Sequence, residues 1–197
     1  MPFSFQDHYF HRAKKENYLA RAVYKLDEIQ KKHKILRVGN RVLDLGAAPG
    51  SWMQLTAGIV GPSGLVVGVD LKSIEHPFPP HVVVMQRDIF DAEFEADLLR
   101  DFASFDVILS DMAPATCGIK AADSARSELL FEQALHLGTV LLKPQGHFLA
   151  KIFQGFDFHN LLVEVKRRFG TVRVVKPDAS RKQSKEIYIL AMRFKKP

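Results

Sequence analysis

Among its 197 residues the sequence contains a single cysteine and no long uninterrupted apolar segment. With only Cys117 available, an internal disulfide framework and a multi-cysteine zinc site are excluded, and a reducing cytoplasm is the simplest location. No segment approaches the roughly 18 apolar residues of a membrane span, and the first residues lack the apolar core of a signal peptide. We therefore expect neither a membrane protein nor a secreted one.

What the sequence does contain is the composition of one globular domain. Hydrophobic residues make up 47% and charged residues 25% of the chain, which is enough apolar surface for a substantial core. The length allows one domain at about 100–200 residues each. We expect that domain over residues 18–197, preceded over residues 1–17 by an irregular basic and aromatic arm.

Charge is distributed unevenly along the chain. Residues 1–37 carry a net charge of +5, residues 38–164 carry −8, and residues 165–197 carry +9. Separation of this kind suggests that the two basic ends converge on a polyanion while the acidic middle serves another purpose. A solvated surface of lysine and arginine is equally compatible with the charge alone.

Helical and strand patterns alternate after the arm. Apolar residues recur at helical spacing from Tyr18 to His33, with Lys25 at the edge of the apolar face. The elements predicted next are strand 41–45, helix 51–60, strand 65–70, strand 82–85, helix 93–102, strand 105–110, helix 124–142, strand 147–153, helix 158–169, strand 172–175 and strand 186–194.

These seven strands predict a doubly wound, Rossmann-like α/β domain. Strands joined through helices run parallel with right-handed crossovers. Residues 176–185 are rich in proline, serine and charge and leave no room for a helix, so the last strand is expected to be antiparallel. The expected sheet is thus mostly parallel, with helices on both faces and one reversed strand near an edge.

Ligands of such domains bind at the carboxyl ends of the strands, and charged residues cluster there in this sequence. They are Asp44, Asp70, Asp88, Asp111 and Lys151.

The loop after the first strand carries Gly46 and Gly50, which allow backbone to approach a ligand closely. Ala48 breaks the glycine fingerprint of dinucleotide-binding loops and weakens the interpretation as a nicotinamide oxidoreductase. Asp70 ends the second strand, where a carboxylate can accept hydrogen bonds from ribose hydroxyls. Taken alone, the glycines are also compatible with a purely structural role.

Several separated motifs together are more specific than this loop. They are Asp44-Leu-Gly-Ala-Ala-Pro-Gly-Ser-Trp52, Ser110-Asp-Met-Ala-Pro114, Lys151-Ile-Phe-Gln-Gly155 and Lys176-Pro-Asp-Ala-Ser-Arg181, with Tyr24-Lys-Leu-Asp-Glu-Ile-Gln30 upstream. In this order they resemble the FtsJ/RrmJ family of S-adenosylmethionine-dependent ribose 2′-O-methyltransferases. The sequence departs from many relatives at Ser51 and at Ala115, where they carry glycine and asparagine. Cys117, behind that second position, is expected to pack rather than to act as a nucleophile.

The resemblance implies S-adenosyl-L-methionine as the cofactor. Asp70 is expected at its ribose, Asp88 at its adenine and Asp111 near its methionine part, and we add Asp44 as the partner of the methionine ammonium group. The complete expected set is Asp44, Gly46, Gly50, Trp52, Asp70, Asp88 and Asp111.

A lysine, aspartate, lysine, glutamate tetrad of the family matches Lys25, Asp111, Lys151 and Glu186, and no metal is expected. A ribose hydroxyl is a weak acid, so methyl transfer to it needs alignment and a proton acceptor. Desolvation and a nearby cation favour a neutral lysine amine, whereas carboxylates favour the ammonium. Our hypothesis makes Lys151 the general base aligned by Asp111, with Lys25 and Glu186 holding the ribose.

Each member of the tetrad also has an ordinary structural interpretation. Lys25 could be a solvated edge residue, Asp111 a turn former, and Glu186 a charge that protects an edge strand. Lys151 is harder to explain in this way, because it interrupts an apolar run where an unpaired charge would be costly.

The resemblance and the basic ends together imply RNA as the substrate, with cationic flanks on both sides of the tetrad. The expected RNA-binding residues are Arg12, Lys14, Lys15, Arg21, Lys176, Arg181, Lys182 and Lys185. Four aromatics of the arm could stack on bases or pack onto the domain: Phe3, Phe5, Tyr9 and Phe10.

The short family members imply a uridine in the peptidyl-transferase-centre loop of large-subunit ribosomal RNA as the target, presented within the ribosomal subunit to a monomeric enzyme. Two alternatives stay open. The chain could modify transfer RNA or the messenger RNA cap, or it could be a non-catalytic RNA-binding factor in ribosome assembly.

Overall fold

The computed structural model describes residues 5–155, 157–181 and 183–196, and the described chain builds one sheet between two layers of helices. The strands are β1 (Arg41–Leu45), β2 (Leu65–Asp70), β3 (Val82–Gln86), β4 (Phe105–Ser110), β5 (Leu142–Phe153), β6 (Phe169–Val175) and β7 (Glu186–Phe194). The helices are α1 (Phe5–Lys15), α2 (Val23–His33), α3 (Ser51–Val60), α4 (Phe94–Phe102), α5 (Lys120–Leu141) and α6 (Phe158–Arg168).

The sheet has the strand order β3-β2-β1-β4-β5-β7-β6. Strands β1 to β5 pair in parallel, and β7 lies antiparallel between β5 and β6. The predicted doubly wound sheet with one reversed strand near an edge is confirmed. Because β1 and β4 are neighbours while the chain leaves them in opposite directions, the carboxyl ends of these strands border a crevice.

Two apolar clusters hold the layers together. Leu26 and Ile29 of α2 and Met53 of α3 pack on one face of the sheet, while Phe94 of α4 and Phe131 of α5 pack on the other. No helix in the described residues is long and apolar enough to cross a membrane.

The amino-terminal segment differs from its expected irregular form, because residues 5–15 form α1. Tyr9 and Ala13, one helical turn apart, pack in a cluster with Tyr24 of α2 and Ala179. A helix this short is stabilised mainly by packing of one face. Its own sequence shows no clear period, so the helix could be recognised only once its partner surface was known.

Several other boundaries differ from the expected ones, among them the start of β6, at Phe169 rather than Val172. Helix α2 begins at Val23 rather than Tyr18, and α5 begins at Lys120 rather than Ser124. Strand β5 begins at Leu142, five residues before the predicted start at His147. Its first part contains Gln145 with a positive φ of 66°, and the β4–β5 register shifts there, which explains why the alternating pattern is lost.

Candidate active site

The turn between β1 and α3 brings backbone unusually close to the loop that follows β4. Gly46 has φ +77°, and a Cβ atom at this position would lie 2.6 Å from Cγ of Met112 and 2.9 Å from its Cα. Gly50 has φ +109°, and a Cβ atom there would lie 2.9 Å from the ring of Phe78. Both positions therefore require glycine for reasons of space as well as conformation.

A cleft of about 550 Å³ opens at this turn. Its walls come from the carboxyl ends of β1, β2 and β4 and from the loops after β3 and β4, with Gly46, Asp70, Asp88 and Asp111 among the lining residues. These are four of the seven expected cofactor residues. The volume and the position at the strand ends are typical of a small-molecule site.

Backbone amides fix the two carboxylates on the β2 and β3 side of the cleft. Asp70 accepts hydrogen bonds from the N–H groups of Ala48 and Lys72, each at 2.9 Å. Asp88 accepts one from the N–H of Phe90 at 3.0 Å. Each carboxylate oxygen has more than one lone pair, so both groups keep acceptor capacity for a ligand in the cleft.

Asp44 has a different environment from these two acids. It is 1% exposed, and neither carboxylate oxygen has a hydrogen-bond partner among the described residues. Burial, followed by the charges of Asp111 and Asp70, raises the pKa of Asp44 well above its usual value. An apolar-buried acid of this kind favours its neutral form.

Three expected cofactor residues lie outside the cleft lining. Asp44 is sealed beneath it, Gly50 faces Phe78, and Trp52 is 3% exposed in the cluster on the α2 and α3 face. The indole N–H of Trp52 donates to the carbonyl oxygen of Ala22 at 2.8 Å, so this group is already occupied. Direct cofactor contacts of these three residues stay predictions.

Lys151 and Asp111 form the first of two ion pairs within the predicted catalytic tetrad. The side chain of Lys151 is 5% exposed on β5, and its Nζ lies 3.0 Å from Oδ1 of Asp111. The same Nζ donates to the main-chain oxygen of Asp111 at 2.6 Å. Asp111 thus compensates the buried charge of Lys151. Because Asp111 also lines the cleft, Lys151 contacts a residue of the cleft wall.

Lys25 and Glu186 form the second ion pair of the tetrad. Nζ of Lys25, in the first turn of α2, lies 2.7 Å from Oε1 of Glu186, the first residue of β7. Their side chains are 13% and 14% exposed, so this is a partly buried ion pair rather than two solvated charges. The antiparallel pairing of β7 with β5 places Glu186 opposite Phe153 and therefore near Lys151.

Tyr188 joins the two ion pairs, and sequence reasoning missed it. It lies opposite Lys151 in the β5–β7 ladder, and its hydroxyl donates to Oδ1 of Asp111 at 2.6 Å. Nζ of Lys25 lies 5.8 Å from the centre of the Tyr188 ring, and Trp52 packs beside it at 5.9 Å. Burial is the first cause that raises the pKa of Tyr188, followed by the charge of Asp111. A signal existed, since Tyr188 follows Glu186 by two residues and so shares its face of the strand.

The four tetrad side chains thus lie together at one edge of the sheet. The alternative in which each is an unrelated surface charge or turn former does not describe this structure, because every one of them contacts another member. Their arrangement can hold a hydroxyl next to an amine at the wall of the cleft.

The expected RNA-binding residues divide into two groups. Arg12 is paired with Glu16 at 2.8 Å and lies 4.4 Å from the centre of the Tyr24 ring, and Arg21 donates to the carbonyl oxygen of Ala179 at 2.7 Å. These two arginines therefore stabilise the junction of the chain ends. The exposed members are Lys14, Lys15, Lys176, Arg181 and Lys185, and Lys182 lies outside the described residues.

The two basic ends do meet, as their charge suggested. Glu28 of α2 accepts hydrogen bonds from the N–H groups of Asp178 and Ala179, at 2.7 and 3.0 Å, and from the Tyr9 hydroxyl at 3.4 Å. One carboxylate thus connects α1, α2 and the segment before β7. Lys14 and Lys15 follow Ala13 directly in α1, and Lys176 lies two residues before Asp178.

The expectation that Cys117 packs is wrong. The residue is exposed, and its Sγ lies 3.3 Å from Oδ1 of Asp123. The N–H groups of Cys117 and Gly118 donate to the same carboxylate, at 2.9 and 3.2 Å. The thiol belongs to a capped loop rather than to a core.

Comparison with known proteins gives consistent matches. The family model described as FtsJ-like methyltransferase matches residues 18–194. The chain is 65% identical over 196 residues to ribosomal RNA large subunit methyltransferase E of Syntrophobacter fumaroxidans, with 100% of both chains covered. It is 50% identical to the protein of the same name from Desulfosudis oleivorans, covering 93% of this chain and 88% of that one.

A solved structure agrees with these matches. A crystal structure described as that of a ribosomal RNA methyltransferase from Plasmodium falciparum superimposes with a TM-score of 0.78 at 28% identity. The superposition covers 90% of this chain and 98% of the other.

Proposed function

The chain belongs to the FtsJ-like methyltransferase family, and on this premise we propose that it transfers a methyl group from S-adenosyl-L-methionine to a ribose 2′-hydroxyl of large-subunit ribosomal RNA. One observation carries the proposal. Asp111 lines the cleft and at the same time holds Lys151, so the cofactor site and the proton acceptor share a residue.

The cleft fits the proposed cofactor. Gly46 lets the turn lie against Met112 of the opposite cleft wall, where a Cβ atom would collide, and the oriented Asp70 carboxylate can accept two ribose hydroxyls. Asp88 lies at the far wall, where it can accept from an adenine amino group. Gly50 and Trp52 contribute to the packing of the turn, Gly50 next to Phe78 and Trp52 through its hydrogen bond to Ala22. S-adenosyl-L-methionine, when bound, supplies an electrophilic methyl group on a sulfonium sulfur.

Lys151 is the residue that removes the proton from the ribose hydroxyl. A neutral lysine amine has two N–H groups and one lone pair. Among the described residues, Nζ donates to the main-chain oxygen of Asp111 and lies 3.0 Å from its Oδ1. An amine with both N–H groups turned towards these oxygens keeps its lone pair for the incoming hydroxyl. Nζ would accept the hydroxyl proton, and the bound cofactor would supply the methyl group to the ribose oxygen.

The other residues hold this geometry. Tyr188 donates to the oxygen of Asp111 that Lys151 also contacts, and so restricts the rotation of that carboxylate. Lys25 and Glu186 hold each other at 2.7 Å. Lys25 and Glu186 also offer a donor and an acceptor for the ribose hydroxyls. Pre-alignment of this kind is the main source of rate in a transfer between two bound groups.

Ribosomal RNA is the proposed substrate because the names of the relatives and the cationic surroundings agree. The exposed lysines and arginine around the junction of the chain ends can contact phosphates. A uridine in the peptidyl-transferase-centre loop is the nucleotide that we propose within that RNA.

The test is incubation of the purified protein with methyl-labelled S-adenosyl-L-methionine and large ribosomal subunits from cells that lack this activity. We expect label in a 2′-O-methylated uridine after complete digestion of the RNA. Label on a base would contradict the mechanism, and label only in transfer RNA offered in parallel would contradict the target. Absence of label from every RNA would favour a binding factor without catalysis.

A further inference from the structure

Helix α1 has two faces of different character. On the inner face, Ala13 is 3% exposed, and the Tyr9 ring packs 5.4 Å from the Tyr24 ring. Arg12 lies over the other part of that Tyr24 ring. These contacts, together with the hydrogen bond from Tyr9 to Glu28, attach α1 to α2, and none of them involves Phe10.

The outer face presents an aromatic ring to solvent among cationic side chains. Phe10 is 56% exposed, and Lys14, one helical turn further on the same side, is exposed as well. Lys15 is exposed beside them, and the ring of His11 lies 5.8 Å from that of Phe10. Single exposed apolar residues are common on protein surfaces, and the feature that points to a ligand here is the combination of an exposed ring with exposed cations.

The location of α1 makes this face relevant to the reaction. Its partner Tyr24 immediately precedes Lys25, and its other partner Ala179 lies in the segment that leads to Glu186. A helix is about 10 Å across, so the outer face lies one helix width from the elements that carry the second ion pair. Helix α1 also precedes the residues that the family model matches, which begin at residue 18. The family motifs therefore assign nothing to it.

We propose that this outer face docks the RNA substrate, with Phe10 stacked on an unpaired base and Lys14 and Lys15 on neighbouring phosphates. We assign RNA to the outer face of α1 because sites for single-stranded nucleic acid combine an aromatic ring, on which a base stacks, with cations that contact phosphates. The only acid in the last turn and the residue after it is Glu16, and Arg12 neutralises it. The inference rests on the proposed function and adds a docking element outside the catalytic cleft.

The experiment compares Phe10→Ala with Leu99→Ala, a control that removes an exposed leucine from α4 in the opposite layer. Affinity is measured for undermethylated large ribosomal subunits and for protein-free large-subunit ribosomal RNA. Loss of one stacked base weakens affinity about 5- to 100-fold. We expect that loss for Phe10→Ala with both ligands, near-complete recovery for Phe10→Trp, and no change for Leu99→Ala.

The lysines are tested by the salt dependence of binding. The double variant Lys14→Ala with Lys15→Ala should lower the slope of log affinity against log salt by roughly 0.7 for each phosphate that the protein no longer neutralises. The control is Lys166→Ala with Arg167→Ala, which removes two exposed cations from the end of α6. An equal change in both variants would mean general electrostatics and would overturn the docking surface.

Fluorescence gives an independent readout. Trp52 is the sole tryptophan and is buried, so Phe10→Trp adds one exposed indole whose emission should be quenched when RNA stacks on it. Unchanged emission at saturating RNA, or unchanged affinity of Phe10→Ala, would overturn the proposal. A loss seen with subunits but not with protein-free RNA would assign the face to a ribosomal protein and would overturn it too. In all these outcomes the wild type still labels ribose, whereas failure of the proposed function would remove that label.

Discussion

The site at the carboxyl ends of the parallel strands has two halves, and they hold their carboxylates in different ways. In the half formed by β1, β2 and β3, Asp70 and Asp88 are oriented by main-chain N–H groups, and Asp44 has no partner in the described structure. In the half formed by β4, β5 and β7, Asp111 and Glu186 are each paired with a lysine. The first half offers acceptors to a neutral or cationic ligand, and under the proposed function the second balances charge around a proton transfer.

This difference also separates local from distant residues. The half formed by β1, β2 and β3, which we call the acceptor half, is assembled from one continuous stretch between β1 and the loop after β3. The half formed by β4, β5 and β7, which we call the proton-transfer half, also needs α2 near one end of the chain, while β7 lies near the other end. Substitutions in the first half should therefore affect cofactor affinity, and those in the second should affect the rate of the chemical step.

The largest effect is expected for Lys151→Ala, which removes the proton acceptor. We expect kcat to fall about 1,000-fold or more, while the Kd of S-adenosyl-L-methionine stays within a few fold. Calorimetric titration of the cofactor and single-turnover methylation measure the two quantities.

A matched control lies on the same pair of strands. Lys143 of β5 pairs with Asp106 of β4 at 2.8 Å at the opposite edge of the sheet. Lys143→Ala removes a lysine and aspartate pair without touching the site, and kcat should be retained. Substantial turnover by Lys151→Ala would remove Lys151 from the role of base.

Asp70→Asn should have the opposite effect to Lys151→Ala, because it should weaken cofactor binding and leave the chemical step nearly unchanged. The variant loses the charged acceptor for the cofactor ribose, and we expect the KM of S-adenosyl-L-methionine to rise about 10- to 100-fold with kcat nearly retained. Asp106→Asn is the comparison, because Asp106 also accepts a main-chain N–H, that of Arg41 at 2.7 Å, but at the far edge. A fall in kcat at saturating cofactor would show that Asp70 belongs to the chemical step.

Tyr188→Phe removes one hydroxyl and leaves the ring in place. A hydrogen bond to a carboxylate contributes about 1.5–3 kcal/mol, so weaker alignment at Asp111 should lower kcat about tenfold and displace its pH profile. Tyr24→Phe removes a comparable bond, from the Tyr24 hydroxyl to Glu16 at 2.9 Å, away from the site. If both variants lose only stability, and neither shifts the pH profile, Tyr188 has no positioning role.

The last prediction concerns Asp44 and is a dependence of stability, rather than of rate, on pH. Because its folded pKa is raised, the neutral acid stabilises the fold fully below the unfolded value of about 3.9, and this stability is lost as pH rises towards the folded pKa. Compared with Asp44→Asn, the wild type should lose up to about 1.4 kcal/mol of unfolding free energy per pH unit above about pH 4.

Urea unfolding of both proteins between pH 3.5 and 8, without cofactor, measures this difference. The two curves should converge at the acidic end. Parallel curves would mean that a cation or a water reaches Asp44 in the folded protein.

The glycine turn and the acids of the first half can be recognised in the sequence because their spacing is set within one strand, one turn and one helix. For that reason the sequence predicts both Asp70 at the strand end and Gly46 as a point of close approach, and both line the cleft. Spacing alone does not show that the indole N–H of Trp52 turns towards Ala22, so the orientation of that side chain could not be predicted.

The sequence by itself determined the order of strands and helices, the reversed last strand and the acidic carboxyl edge, since hydrophobic period and turn composition are local properties. Only the tertiary structure decided which charges meet. The antiparallel insertion of β7 beside β5 puts Tyr188 opposite Lys151, and packing of α2 brings Lys25 to Glu186. It also decided that residues 5–15 are helical, because the surface that stabilises α1 comes from α2 and from Ala179, far along the chain. Contacts of this kind depend on the folded surfaces of segments that are distant in sequence, so a local sequence pattern cannot predict them.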